Sequence, residues 1–144
     1  MDLFAGIKFL PAASAALLIA LASGCEKPSS LDTSSPNVKH ITQGEFGDEV
    51  TRAGQPVAVE FYATWCGPCR EMGALLDRVA GGYDGKIKFV KVNVDESPGL
   101  AQNYEVQAIP TLILFKDDKL ANRITGLPAE PDLKTKLDAL VAAK

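Results

Sequence analysis

Val57-Ala58-Val59-Glu60-Phe61-Tyr62-Ala63-Thr64-Trp65-Cys66-Gly67-Pro68-Cys69 is the stretch whose reading decides the fold. Val57 to Ala63 is β-rich and runs directly into Cys-x-x-Cys. Beyond it, Met72, Leu75, Leu76 and Val79 recur at helical spacing as far as Gly81-Gly82. A strand therefore hands over to a helix at the two cysteines. Residues at i and i+3 of a helix start lie within disulfide range without moving the backbone. Cys66 falls at the helix N-terminus, where unpaired N–H groups and the helix dipole favour a thiolate able to attack a disulfide. Cys69, one turn deeper, is placed to resolve the mixed disulfide. Pro68 sits in the first turn, where a missing N–H costs little.

Other uses of the pair weigh less. Zinc takes about four ligands; besides the pair the chain offers only His40 and Cys25, and the lipid reading given below consumes Cys25, so no metal is expected. A purely structural disulfide across so short a loop removes little entropy from the unfolded chain. Two unrelated thiols are less plausible still. Thiol chemistry of this kind needs no bound cofactor, and none is expected.

Working outward, the chain alternates strand and helix signals. Val38 to Ile41 is a short strand. Thr42-Gln43-Gly44-Glu45 fits a capping box, with Phe46 and Val50 one helical turn apart behind it. Ile87 to Val94 is a further strand, and Ser97-Pro98 opens a short helix as N-cap and first helical residue. Thr111 to Phe115 and Leu120 to Ile124 flank the turn Lys116-Asp117-Asp118-Lys119 and form a hairpin. Leu133, Leu137, Leu140 and Val141 give the stripe of a last helix. The order β-α-β-α-β-α-β-β-α predicts an α/β protein with a mixed central sheet and helices on both faces. Pro110 cannot donate to a central ladder, so it stands at the start of its strand. Glu60 interrupts a strand whose neighbours suggest burial on both faces. A buried carboxyl there has its pKa raised and suits a proton acceptor; a solvated edge-strand glutamate is the alternative.

Of 144 residues, 47% are apolar and 23% charged, with a net charge of −3. One domain with extra segments fits that length, and nucleic acid is not an expected partner. Residues 1–24 differ from the rest. Phe9 to Ala22 carries no charge and follows Lys8, the pattern of a signal-peptide core that falls short of the ~20 residues of a membrane span. The run closes on Leu21-Ala22-Ser23-Gly24-Cys25, which resembles the lipobox of bacterial lipoproteins. That resemblance implies cleavage before Cys25 and attachment of lipid to its sulfur. Ala20-Leu21-Ala22 also satisfies the rule for ordinary secretory cleavage, and an uncleaved anchor is a third reading. Each places the domain outside the cytoplasm: periplasm-facing and lipid-anchored in the first, soluble in the periplasm or secreted in the second. Residues 25–37 contain one large apolar residue, Leu31, and read as a flexible tether spanning roughly 20 Å r.m.s.. Residues 38–144 form the folded domain.

Four motifs in register resemble the thioredoxin family: Ala63-Thr64-Trp65-Cys66-Gly67-Pro68-Cys69-Arg70, Lys91-Val92-Asn93-Val94-Asp95, Ala108-Ile109-Pro110-Thr111 and Thr125-Gly126. The resemblance implies the thioredoxin fold and reduction of protein disulfides by Cys66 attack and Cys69 resolution. It implies that Ile109-Pro110 is a cis peptide beside Cys66 and that the Ile109 backbone pairs with substrate. Glu60 stands where the family has a buried Asp behind the second cysteine, and Lys91 matches a lysine near that acid or, on the other reading, reaches solvent. Trp65 follows the strand and borders the reactive loop, which suits a platform for substrate, a core position being the alternative, and Gly126 matches a glycine that keeps the substrate groove open or serves as a plain turn glycine. Tyr62 replaces a common Trp, and Ala74 a helix-kinking Pro. His40 has no matching partner and is expected at the surface. Gly67-Pro68 is the intervening pair of reducing thioredoxins. Expected partners are disulfide-containing proteins, a membrane thiol-transfer protein as electron donor, and the membrane itself through the lipid. A monomer is expected. An oxidase or isomerase with the same cysteines, and a non-catalytic binding module, are the rival functions.

Overall fold

The computed structural model describes residues 35–143; the expected signal segment, Cys25 and the tether as far as residue 34 lie outside them. In chain order the strands and α-helices are β1 (Val38–His40), β2 (Val57–Tyr62), α1 (Gly67–Ala80), β3 (Lys88–Asn93), α2 (Pro98–Asn103), β4 (Thr111–Lys116), β5 (Lys119–Thr125) and α3 (Glu130–Ala142), with short helical turns at Gly47–Thr51 and Gly81–Tyr83. The strands form one sheet in the order β1-β3-β2-β4-β5. β1, β3 and β2 run parallel, β4 is antiparallel to β2, and β5 antiparallel to β4. This is the mixed sheet of a thioredoxin fold.

Strand β2 lies at the centre, and all six of its residues are buried. Its near-continuous apolar character follows, because a strand covered on both faces has no solvent side to make polar. Ala58 packs with Leu75, Leu76 and Val79 of α1 and Leu133 and Leu137 of α3. Val57, Val59 and Phe61 point the other way, into a second cluster with Phe46, Val50, Leu100 and Phe115. Side chains alternate along a strand, so Glu60 and Tyr62 share the Ala58 face, the one that α1 and α3 cover. Among the described residues no helix is long and apolar enough to cross a membrane.

Three local expectations are corrected. Glu45 does reach back to the Thr42 N–H at 2.9 Å, as in a capping box, but the Thr42 hydroxyl donates to the same carboxylate at 2.8 Å. It is therefore turned away from the reciprocal bond. The helical turn expected behind it does form, with Glu49 N–H bonded to Glu45 O at 2.9 Å and Phe46 and Val50 both buried, but it is short and π-type at Gly47–Thr51, closed by Arg52 N–H to Gly47 O at 2.8 Å. The hairpin turn is tighter than expected, because Lys116 and Lys119 themselves pair. Only Asp117 and Asp118 make the turn, both left-handed at φ 49° and 64°, the handedness that matches strand twist. Val141, expected in the apolar stripe of α3, is exposed, whereas Leu133, Leu137 and Leu140 are buried.

Candidate functional site

The redox pair closes the strand-to-helix turn. Cys66 is the N-cap of α1, in extended backbone, and its Sγ accepts the Cys69 N–H at 3.2 Å. Cys66 and Cys69 are joined in a disulfide across a Cα–Cα distance of 5.3 Å. A sulfur at the N-cap faces the N–H groups that have no intrahelical acceptor, so the negative form of Cys66 is stabilised once the bond is reduced. Cys69 is buried, packed against Tyr62 and Ala63, with Val94 and Ile109 alongside. Both cysteines are buried, so what distinguishes them is their place on the helix, Cys66 at the N-cap and Cys69 within the first turn.

Three separate segments border the pair. Trp65 is 69% exposed, yet its indole N–H donates to Asp95 Oδ2 at 2.8 Å. Asp95 is held in turn, its N–H donating to Asn93 Oδ1 at 3.0 Å, while the Asn93 amide donates to Glu96 at 2.9 Å. A sequence reading that quotes Asn93 and Asp95 only as parts of a motif misses this support, which spans 30 positions. The Ile109-Pro110 peptide is cis, and Ile109 lies against the cysteine cluster. Gly126 donates its N–H to Pro110 O at 2.8 Å. Its φ of +81° is the reason for glycine; a Cβ there would meet open space, so backbone conformation rather than room sets the requirement.

On the face of β2 that α1 covers, Glu60 is 2% exposed, and its Oε1 has no hydrogen-bond partner among the described residues. Burial pushes its pKa up to about 8; Lys91 pulls it down, and Asp77 adds a smaller push upward. Lys91 is the in-register neighbour of Glu60 on β3, with its ammonium 5.1 Å from the centre of the Tyr62 ring. Glu60 is thus no edge-strand residue: it lies in the central strand, and as a carboxyl that is largely protonated at neutral pH. His40, expected at the surface, is half-buried. It meets Tyr62 edge-on at 6.1 Å between ring centres, with Glu96 3.8 Å from its Nε2. It occupies the same cross-strand row as Lys91.

This fold and this cysteine turn define a class, and comparison with known proteins agrees. The family model of thioredoxin matches residues 37–139. Thioredoxin 1 of Synechococcus elongatus is 40% identical over 98 residues, covering 68% of this chain and 92% of that protein. The thioredoxin of Pseudomonas aeruginosa is 39% identical over 105 residues, covering 73% and 97%. The chain belongs to the thioredoxin family. It is a protein-disulfide oxidoreductase with Cys66 and Cys69 as its redox-active pair.

Proposed function

We propose that the protein reduces disulfides of other proteins on the extracytoplasmic side of a bacterial membrane, held there by lipid on Cys25. Residues 1–24 are then the signal segment, 25–37 the lipidated cysteine with its tether, and 38–144 the catalytic domain. The uncharged Phe9–Ala22 run and the small residues before Cys25 support the location. Gly67-Pro68 between the cysteines supports the reductive direction. The observation that carries the catalytic reading is the placement of Cys66 Sγ at the N-cap, accepting the N–H of Cys69 in the first turn of α1.

In the reduced protein the Cys66 thiolate attacks one sulfur of a substrate disulfide. A Cys66–substrate disulfide forms, and the second substrate sulfur leaves as a thiolate that takes a proton from solvent. Cys69 then passes its proton to ionised Glu60 and attacks the Cys66 sulfur. The Cys66–Cys69 disulfide forms, and the remaining substrate sulfur departs as thiolate. Two electrons have moved from the pair to the substrate, and a membrane thiol-transfer protein returns them. Glu60 acts as proton acceptor and Lys91 biases it towards ionisation. Trp65, Ile109, Pro110 and Gly126 form the wall against which the substrate chain lies.

The direction is tested by trapping thiols in intact cells with a membrane-permeable alkylating agent and measuring insulin reduction by the purified full chain. A pair held mostly reduced in cells, together with insulin reduction, is the expected outcome. A pair held oxidised, with no insulin reduction, overturns the reductive reading.

A further inference from the structure

The segment from Tyr104 to Pro110 carries the Ile109 backbone to the redox pair, and it has no regular structure of its own. Its first turn is a Schellman ending of α2. Val106 N–H bonds to Ala101 O at 2.8 Å, and Glu105 N–H to Gln102 O at 3.0 Å. The residue at the left-handed position of such an ending is usually glycine; here it is Glu105, at φ 51°. A side chain in that conformation is strained by its Cβ, so something outside the helix must hold it.

Arg123 of β5 is the group that does so. Its Nη2 donates to Tyr104 O at 2.6 Å and its Nη1 to Glu105 O at 2.8 Å. Those two carbonyls bracket the left-handed residue, and the helix offers neither of them a donor. The planar guanidinium suits two acceptors at fixed spacing, which a single ammonium does not. The Tyr104 ring is anchored from the other side, between Phe46 at 5.2 Å and Phe115 at 5.3 Å. Three residues further on, immediately past the end of β5, Gly126 takes the other end of the segment through Pro110 O. The edge strand and the residue that follows it therefore grip both ends of the segment.

We infer that Arg123 is a positioning residue for the substrate wall. By fixing the turn at Tyr104-Glu105 it sets where the Ile109 backbone meets a protein substrate. The inference rests on the proposed role of the Ile109–Gly126 wall. Loosening one end of the segment charges its re-ordering to each binding event and leaves the sulfurs alone, so the loss falls on binding of an extended protein substrate.

The test is steady-state insulin reduction by the full chain, with its reductant saturating. Arg123→Ala is expected to raise KM about five- to tenfold, with kcat within about twofold of the parent, as ordering costs of this size convert. Arg123→Lys keeps the charge without the fork and is expected to raise KM about two- to threefold; it decides the matter if the alanine variant does not fold. Gly126→Asp, which loads the opposite end of the segment, serves as the control for the wall. A raised KM in Gly126→Asp with unchanged KM in the Arg123 variants overturns the role of Arg123 alone. Unchanged KM in all of them overturns the wall. A lowered unfolding midpoint in Arg123→Ala without any movement of KM marks a merely structural residue and also overturns the inference.

Discussion

The two sides of the redox pair are built by opposite means. The cysteine turn is local: strand end, N-cap, Pro68 in the first turn and the resolving cysteine all fall between Tyr62 and Cys69. The proposed substrate side is assembled from afar. Trp65 is held by Asp95, Ile109 and Pro110 by Gly126, and the approach to them by Arg123. A local turn keeps its geometry as long as the backbone is helical behind it, so its chemistry is robust. A wall held by a few long-range bonds can be loosened a piece at a time. The chemistry and the recognition of this protein should therefore fail separately.

The largest effect is expected at the turn itself. Cys66→Ser should abolish disulfide reduction and trap nothing, whereas Cys69→Ser should accumulate substrates bound to Cys66, because attack survives and resolution does not. Non-reducing electrophoresis with mass spectrometry reads the difference. Substrates accumulating on Cys69 of the Cys66→Ser protein would reverse the two roles.

Glu60→Gln comes next, because it leaves both cysteines in place and removes the proposed proton acceptor. Loss of a general base costs ~10²–10⁴-fold, with water replacing part of it. Stopped-flow turnover should show slow resolution with initial attack little changed. In the parent, resolution should accelerate as pH rises towards about 8, where Glu60 becomes ionised; in the variant that rise should disappear.

The same group has a signature in stability, and its sign follows from the raised value. The native carboxyl titrates at about 8, against roughly 4.3 in an unfolded chain. Between those values the native state holds a proton that the unfolded chain has released. The stability this contributes is complete below the unfolded value and is lost as pH rises through the native one. The parent should therefore lose on the order of a few kcal/mol across that window. Denaturant unfolding of Glu60→Gln should lack this loss, and its advantage over the parent should grow up to pH 8 and then level off. Equal pH profiles for the two proteins would remove Glu60 from the mechanism.

Smaller effects belong to the wall and the tether. Gly126→Ala should cost about 1–2 kcal/mol of stability, the penalty of a Cβ at positive φ, measured by urea unfolding. No change would mean that the backbone at Gly126 relaxes at no cost. Cys25→Ser should leave the insulin-reduction rate of the domain where it was while removing lipid from the mature N-terminus, read by intact mass. An unlipidated parent beginning at Ser23 would establish the soluble form.

The contrast between the two sides also divides what could be read in advance. The helical stripe of Met72, Leu75, Leu76 and Val79 is a short-range pattern, and all four side chains are buried as it requires. The capping box at Thr42 and the stripe position of Val141 are local patterns too, but a rotated hydroxyl and one residue of helical phase were enough to change them. Arg123 left no signal at all, since nothing along β5 says that a carbonyl of another segment lies within its reach.

Residue order alone thus determined the class of the fold and the chemistry of the centre, because strand period, helix start and cysteine spacing are set by neighbours a few positions apart. Tertiary structure decided the environment of Glu60. Its alternating position puts it on one face of β2, but only the order β1-β3-β2-β4-β5 makes β2 central, sets Lys91 beside it and closes α1 over it. The pKa of a carboxyl is governed by the water it has lost and the charges brought near it, and both depend on which strands become neighbours.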